Sequence, residues 1–132
     1  MALFFNSFAL SSLLDCGGMT HIHLTNQKCE ACEGGVSPLS RSEAEELLIQ
    51  TPDWQLNDTA TVLYRAYVCT NFVAAVALIH QVADIAEAEG HHPDIHLTNY
   101  KHLRIELTTH AINGLSKNDF IVAAKLDARQ SE

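Results

Sequence analysis

Between residues 54 and 109 the spacing of apolar residues changes from alternating to helical and back to alternating. This pattern constrains the fold more than any other sequence feature. A helical repeat covers residues 72–89, with Asn71 as its cap and Gly90 as its natural end. Two segments with alternating apolar and polar residues precede this repeat and two follow it: residues 54–57, 61–70, 94–98 and 103–109. The pattern predicts a helix between two pairs of antiparallel strands.

Helix-start signals add one helix before these strands and one after them. Ser40 with Glu43 three residues later forms a capping-box pattern, and the helix that follows must end before Pro52. Ser116 with Asp119 at its third helical position predicts the start of a final helix. We therefore expect an α+β fold of the order α-β-β-α-β-β-α, in which helices cover a four-stranded antiparallel sheet.

The first 38 residues do not continue these patterns. Residues 1–18 are apolar without Lys or Arg, and their apolar run is too short for a membrane span. We expect a weakly ordered extension there, with a cleaved leader as the alternative, and a protein beginning at Met19 should keep its stability and turnover. The predicted organisation is an amino-terminal arm over residues 1–38 and one domain over residues 39–132.

Composition narrows the range of partners and compartments. Sixteen acidic against eight basic residues give a net charge of −8, which argues against direct binding of a nucleic-acid backbone. The four cysteines of this 132-residue chain are typical of reduced thiols, so we expect a cytoplasmic protein that does not bind membranes. Cys29 and Cys32 form a CxxC pair, but no second pair follows to complete a structural zinc site.

The histidines carry the strongest chemical signal. Five of the eight lie between His91 and His110. His91 and His92 follow the end of a predicted helix, and Pro93 keeps His92 extended so that the two rings diverge. If residues 94–98 and 103–109 form a hairpin, its open end brings His110 back beside them. Three imidazoles would then meet at one edge of the sheet.

Neighbouring groups suggest how these imidazoles could act. We expect Asp119, which opens the last helix, to orient His110 through a carboxylate–imidazole hydrogen bond. Imidazole serves acid–base catalysis near neutral pH. A zinc site with His96 as a further ligand is the rival hypothesis, although no HExxH-type spacing places two ligands on one helix face.

The stretch EAEGHHPDIHLTNYKHLRIELTTHAINGLSKNDFIVAAKLD resembles the pterin-4a-carbinolamine dehydratases, and the resemblance covers about residues 39–126. Trp54 matches an early tryptophan of that family. The residues that match its main motif are Glu87, His91, His92, Pro93, Tyr100, Thr109, His110, Gly114, Leu115 and Asp119.

This resemblance implies the dehydration of a 4a-hydroxytetrahydropterin, with the pterin as substrate and no metal or organic cofactor. By the family pattern, His91 and His110 would exchange protons and His92 would hold the substrate. Glu87 would help to bind or orient the site, and we expect substrate-binding or orienting roles for Asp119, Thr109 and Pro93 as well. The resemblance also implies a homodimer or homotetramer.

Two alternatives belong to other functional classes. The chain could be a protein-binding module, since animal relatives promote the dimerisation of a homeodomain transcription factor, or an accessory protein of another pterin pathway such as that of molybdopterin. It could also be a metal-binding or redox accessory that uses Cys29, Cys32 and the histidines.

Overall fold

The computed structural model describes residues 23–31 and 36–131. Its three helices are α1 (Arg41–Leu48), α2 (Phe72–Glu89) and α3 (Lys117–Gln130). Short 3₁₀ turns cover Leu24–Asn26 and His110–Ile112. The expectation for residues 1–18 lies outside the described residues.

Local side-chain chemistry explains where the helices begin and end. Ser40 and Glu43 form the expected capping box at the start of α1. The Asn71 side chain accepts a hydrogen bond from the Ala74 backbone at the start of α2. Gly90 ends α2 in the left-handed conformation at φ 66°, which costs glycine little because it has no Cβ.

Four antiparallel strands form one sheet in the spatial order β1-β2-β4-β3. The strands are β1 (Gln55–Leu56), β2 (Leu63–Val68), β3 (Asp94–Thr98) and β4 (His102–Leu107). The α+β class and the four-stranded antiparallel sheet are therefore confirmed. The central pairing of β2 with β4 joins the two hairpins across the long α2 crossover.

The alternating pattern of β4 divides the sheet into two faces. Leu103, Ile105 and Leu107 are buried and pack with α2 and α3 residues in the core. Arg104 and Glu106 point to the opposite face, where they form an ion pair with Nε and Oε2 2.6 Å apart. The helices thus cover one face of the sheet, as the period-two pattern predicts.

The strands are shorter than the alternating sequence segments predict. Asn57 Oδ1 accepts hydrogen bonds from the backbone N–H groups of Thr61 and Val62, so the side chain builds a turn where the strand was expected to begin. After β4, the chain leaves the ladder at residue 108. The strand therefore ends at Leu107 and not at residue 109 as predicted, and His110 belongs to a 3₁₀ turn.

Candidate active site

The end of α2 places two imidazoles in different directions. After Gly90 reverses the chain, the His91 backbone N–H donates to the Ala86 carbonyl at 3.2 Å and closes the helix end. The His91 ring turns inward toward the start of α3, and the His92 ring turns outward toward Glu87. This divergence matches the expectation drawn from the proline at position 93.

His91 contacts a buried carboxylate. Its Nε2 lies 2.6 Å from Asp119 Oδ1, with the His91 side chain 13% exposed and the Asp119 side chain fully buried. Asp119 Oδ2 also accepts from the Thr109 hydroxyl and from the Ser116 backbone N–H, each at 2.9 Å. Three donors therefore hold one carboxylate in place, and the carboxylate fixes the His91 ring.

This contact corrects the expected partner of Asp119. The sequence pattern predicted that Asp119 would orient His110, but the carboxylate binds His91 instead. The physical reason is the 3₁₀ turn after β4, which carries His110 past the start of α3 and leaves its ring exposed. Thr109 reaches the carboxylate in its place.

His92 and Glu87 form an exposed pair. Glu87 lies on the last turn of α2, and its Oε2 contacts His92 Nε2. Both side chains are largely exposed, at 62% for His92 and 76% for Glu87. Because solvent screens an exposed pair, this contact orients the ring and adds little stability.

The loop that carries His110 is closed by a short bridge. The Thr109 N–H donates to the Gly114 carbonyl at 2.9 Å, and the Gly114 N–H returns a bond to Thr109. A Cβ added at Gly114 would stand 2.6 Å from Pro38 Cβ, so no larger residue fits without movement. The bridge fixes where His110 leaves the sheet.

These elements surround an open pocket of about 310 Å³, called here the histidine pocket. The described residues that line it are Glu30, Ala31, Gly90, His91, His92, Thr108, Thr109, His110, Ala111 and Asn118. The structure thus brings all three predicted imidazoles to one pocket. Their catalytic roles stay a prediction.

A larger cavity lies elsewhere but is lined by fewer side chains that can transfer a proton. It measures about 390 Å³ and lies beside His23, Glu46 and Gln50. A site for acid–base catalysis needs several proton-transfer groups around one cavity. The histidine pocket meets this condition with three imidazoles, so we place the candidate site there.

Other predicted residues take supporting positions. Thr109 is buried, lines the pocket and donates its hydroxyl hydrogen bond to Asp119. Glu87 contacts His92, and neither Glu87 nor Pro93 is among the described residues that line the pocket. His96 lies on the opposite face of the sheet, 3.3 Å from Glu106, and joins none of the pocket imidazoles.

The part of the pocket that comes from the amino-terminal arm was not predicted from the sequence. Glu30 and Ala31 line the pocket although they lie about 60 residues before His91 in the chain. Asn118, beside Asp119 in the first turn of the last helix, also lines the pocket without a sequence signal that marks it. No periodicity or cap could reveal the arm contact, because it depends on tertiary packing.

The environment of Cys29 bears on the metal and redox alternative. Burial, together with the negative charge of Glu89, raises the pKa of the Cys29 thiol to about 12. A thiol with that pKa is protonated at neutral pH, whereas metal binding and thiol exchange need the thiolate. Cys32 lies outside the described residues.

Two further observations concern the described part of the chain. No group of three or more His, Cys, Asp and Glu side chains within residues 23–31 and 36–131 has the geometry to hold a metal ion. None of the helices in those same ranges is long and apolar enough to span a membrane.

The fold and the pocket define an α+β protein with a histidine-rich site suited to proton transfer. Residues 37–129 match the family model described as pterin 4 alpha carbinolamine dehydratase. This match covers well over half of the chain, so the protein belongs to the pterin-4a-carbinolamine dehydratase family.

Known relatives agree with this assignment. A Methylococcus capsulatus protein whose name places it in this family is 47% identical over 109 residues, which cover 83% of this chain and 95% of the relative. The Arabidopsis thaliana protein "Pterin-4-alpha-carbinolamine dehydratase 2, mitochondrial" is 41% identical over 112 residues, covering 83% of this chain and 60% of that protein.

A solved structure shows the same fold. The Brucella melitensis protein described as a transcriptional coactivator/pterin dehydratase superimposes with a TM-score of 0.64 at 30% identity. The match covers 70% of this chain and 97% of the other.

Proposed function

We propose that this chain catalyses the dehydration of 4a-hydroxytetrahydropterins to quinonoid dihydropterins by imidazole acid–base catalysis. The observation that carries the proposal is the histidine pocket, where His91, His92 and His110 line one cavity and His91 rests on the buried Asp119 carboxylate. Family membership supplies the substrate class.

The reaction needs two proton transfers and no redox step. One imidazolium donates a proton to the hydroxyl at C4a, the C–O bond breaks, and water leaves. A neutral imidazole removes a proton from a ring nitrogen as the new C=N bond forms. The two imidazoles have then exchanged protonation states, and proton transfer between them or with solvent restores the enzyme.

The Asp119 contact assigns the nitrogen of His91 that can act on the substrate. A carboxylate that already accepts from Thr109 and Ser116 also accepts from His91, so Nε2 carries the proton in this pair. Nδ1 is then the atom left to accept a proton from the substrate. His110, which is exposed at the pocket edge, would be the proton donor in the same cycle.

His92 holds the substrate in this proposal. Its exposed ring lines the pocket, and Glu87 limits its rotation by binding Nε2. A residue that binds ground state and transition state equally affects KM and leaves kcat nearly constant. This expectation separates His92 from the two proton-transfer histidines.

The test is an assay of the purified protein with 4a-hydroxytetrahydrobiopterin. His91→Ala and His110→Ala should each lower kcat by about 10²–10⁴-fold, and the double variant should lose more if one ring partly replaces the other. His102→Ala is the matched control, because His102 is exposed on β4 away from the pocket.

Two outcomes would contradict the proposal. One is a wild-type protein that binds pterins but does not accelerate dehydration above the uncatalysed rate. The other is stoichiometric bound zinc whose removal by a chelator abolishes turnover. We expect turnover to persist in the presence of the chelator.

A homodimer or homotetramer in the cytoplasm completes the proposal. The outer edge of β3 has no neighbouring strand among the described residues, and apolar side chains are exposed at the start of α2, with Phe72 at 54% and Val73 at 75%. Light scattering at micromolar concentration should show an oligomer. A monomer would contradict this part, and microscopy of a fluorescent fusion tests the compartment.

A further inference from the structure

The arm segment, residues 27–31, is fixed against the two helix ends that carry the site. Asn118, which is buried at the start of α3, accepts from the Glu30 N–H at 3.0 Å and donates to the Glu30 carbonyl. The Cys29 N–H donates to Glu89 Oε1 at 2.9 Å, and Glu89 binds Lys125 at 2.7 Å. The backbone of the arm segment is therefore held from both sides.

This attachment places Glu30 at the pocket. The residues beside its two anchors are the site residues themselves, since Asn118 precedes Asp119 and Glu89 is two residues before His91. Glu30 lines the pocket and is exposed, and both its backbone N–H and its carbonyl are bound by Asn118.

Glu30 is also the one carboxylate among the described residues that line the histidine pocket. The side-chain oxygens of the other described lining residues belong to groups that already make hydrogen bonds within the protein. The Thr108 hydroxyl donates to the Thr61 carbonyl at 2.7 Å, and the Thr109 hydroxyl donates to Asp119. The Asn118 amide binds the arm segment.

We propose that the Glu30 carboxylate binds the amino-pyrimidinone edge of the pterin, so that the amino-terminal arm contributes to substrate specificity. That edge presents two parallel donors, the ring N3–H and the exocyclic 2-amino group. Two carboxylate oxygens match this pair, and charge-assisted hydrogen bonds of this type are stronger than neutral ones. The inference rests on the proposed function for the substrate class. Glu30 lies outside the family-model match at residues 37–129.

A pair of ligands tests the contact without turnover. 7,8-Dihydropterin carries the 2-amino donor, whereas 7,8-dihydrolumazine has a carbonyl acceptor in its place that would face the carboxylate. The wild-type protein should bind dihydropterin more tightly by about tenfold to 100-fold in equilibrium fluorescence titrations. Glu30→Gln should reduce this preference by about tenfold, because an amide cannot accept both donors.

Glu45→Gln is the matched control, since Glu45 is an exposed acid on α1 that does not line the pocket. It should keep the wild-type preference. Because Glu30 is exposed, Glu30→Gln should also keep the wild-type melting temperature. A general loss of structure would weaken both ligands together, whereas loss of the proposed contact weakens dihydropterin selectively.

The outcomes separate this inference from the proposed function. If Glu30→Gln retains the wild-type preference for dihydropterin, the inference is wrong even where turnover is normal. If the wild-type protein shows the preference and Glu30→Gln loses it, the inference stands even where dehydration is not observed. In steady-state assays, an active Glu30→Gln enzyme should show a raised KM with unchanged kcat.

Discussion

Replacing Asp119 by asparagine should invert the tautomer of His91. Oδ2 of the carboxylate accepts from Thr109 and Ser116, and Oδ1 contacts His91. The asparagine oxygen can keep the first two donors only if its NH₂ group faces His91. Nε2 must then become an acceptor, and the ring proton moves to Nδ1, the atom proposed as the base.

The expected costs differ for stability and for activity. Hydrogen bonds to a charged group exceed neutral ones by about 1 kcal/mol each, so three such bonds lose about 3 kcal/mol in total. The free energy of unfolding of a domain this size is about 5–15 kcal/mol, so Asp119→Asn should fold with a melting temperature lower by about 10 °C. With the base in the wrong tautomer, kcat should fall by about 10²–10⁴-fold.

Asp127→Asn provides a control on the same helix. The Asp127 carboxylate accepts from Trp54 Nε1 at 2.9 Å and Arg65 Nη1 at 2.7 Å and lies outside the pocket. The asparagine oxygen can keep both donors, so this variant should lose less stability than Asp119→Asn and keep its kcat. Histidine-ring ¹⁵N shifts report the tautomer. If Asp119→Asn kept both the wild-type His91 tautomer and the wild-type kcat, the proposed role of Asp119 would be refuted.

Three further predictions concern binding, packing and pH. His92→Ala and Glu87→Gln should raise KM with little change in kcat in steady-state assays, and an equal fall in kcat would contradict a binding role. Gly114→Ala should lower the free energy of unfolding by about 1–3 kcal/mol in denaturant titrations, because its Cβ overlaps Pro38, and Pro38→Gly should restore part of the loss. Although burial opposes ionisation of Glu89, hydrogen bonds from its lysine partner and from the arm backbone hold its pKa below the usual value. This carboxylate therefore stabilises the fold above the usual glutamate pKa, and the contribution is lost as pH falls through the lowered pKa. The free energies of unfolding of the wild-type protein and of Glu89→Gln should accordingly converge as the pH falls below about 4. A difference between them that stays constant with pH would contradict this prediction.

Local sequence signals predicted the elements because each signal acts over a few residues. The cap at Asn71 and the glycine at position 90 bound α2 at the observed residues. The alternation of residues 103, 105 and 107 assigned the buried face of β4. Strand boundaries were less well predicted where a side chain binds backbone N–H groups that a neighbouring strand would otherwise bind. Asn57 does this just before β2.

The sequence by itself also determined which imidazoles share a pocket, because a hairpin returns the chain to its starting edge. Tertiary structure decided how they are paired. Whether Asp119 binds His91 or His110 depends on how far the 3₁₀ turn carries the chain beyond β4. This distance is set by the bridge between Thr109 and Gly114 and by the packing of Gly114 against Pro38. The contact of the arm segment with Asn118 joins residues 88 positions apart. Such a contact leaves no periodic trace in the sequence, because its free energy arises from packing and hydrogen bonds that exist only after the helices have met.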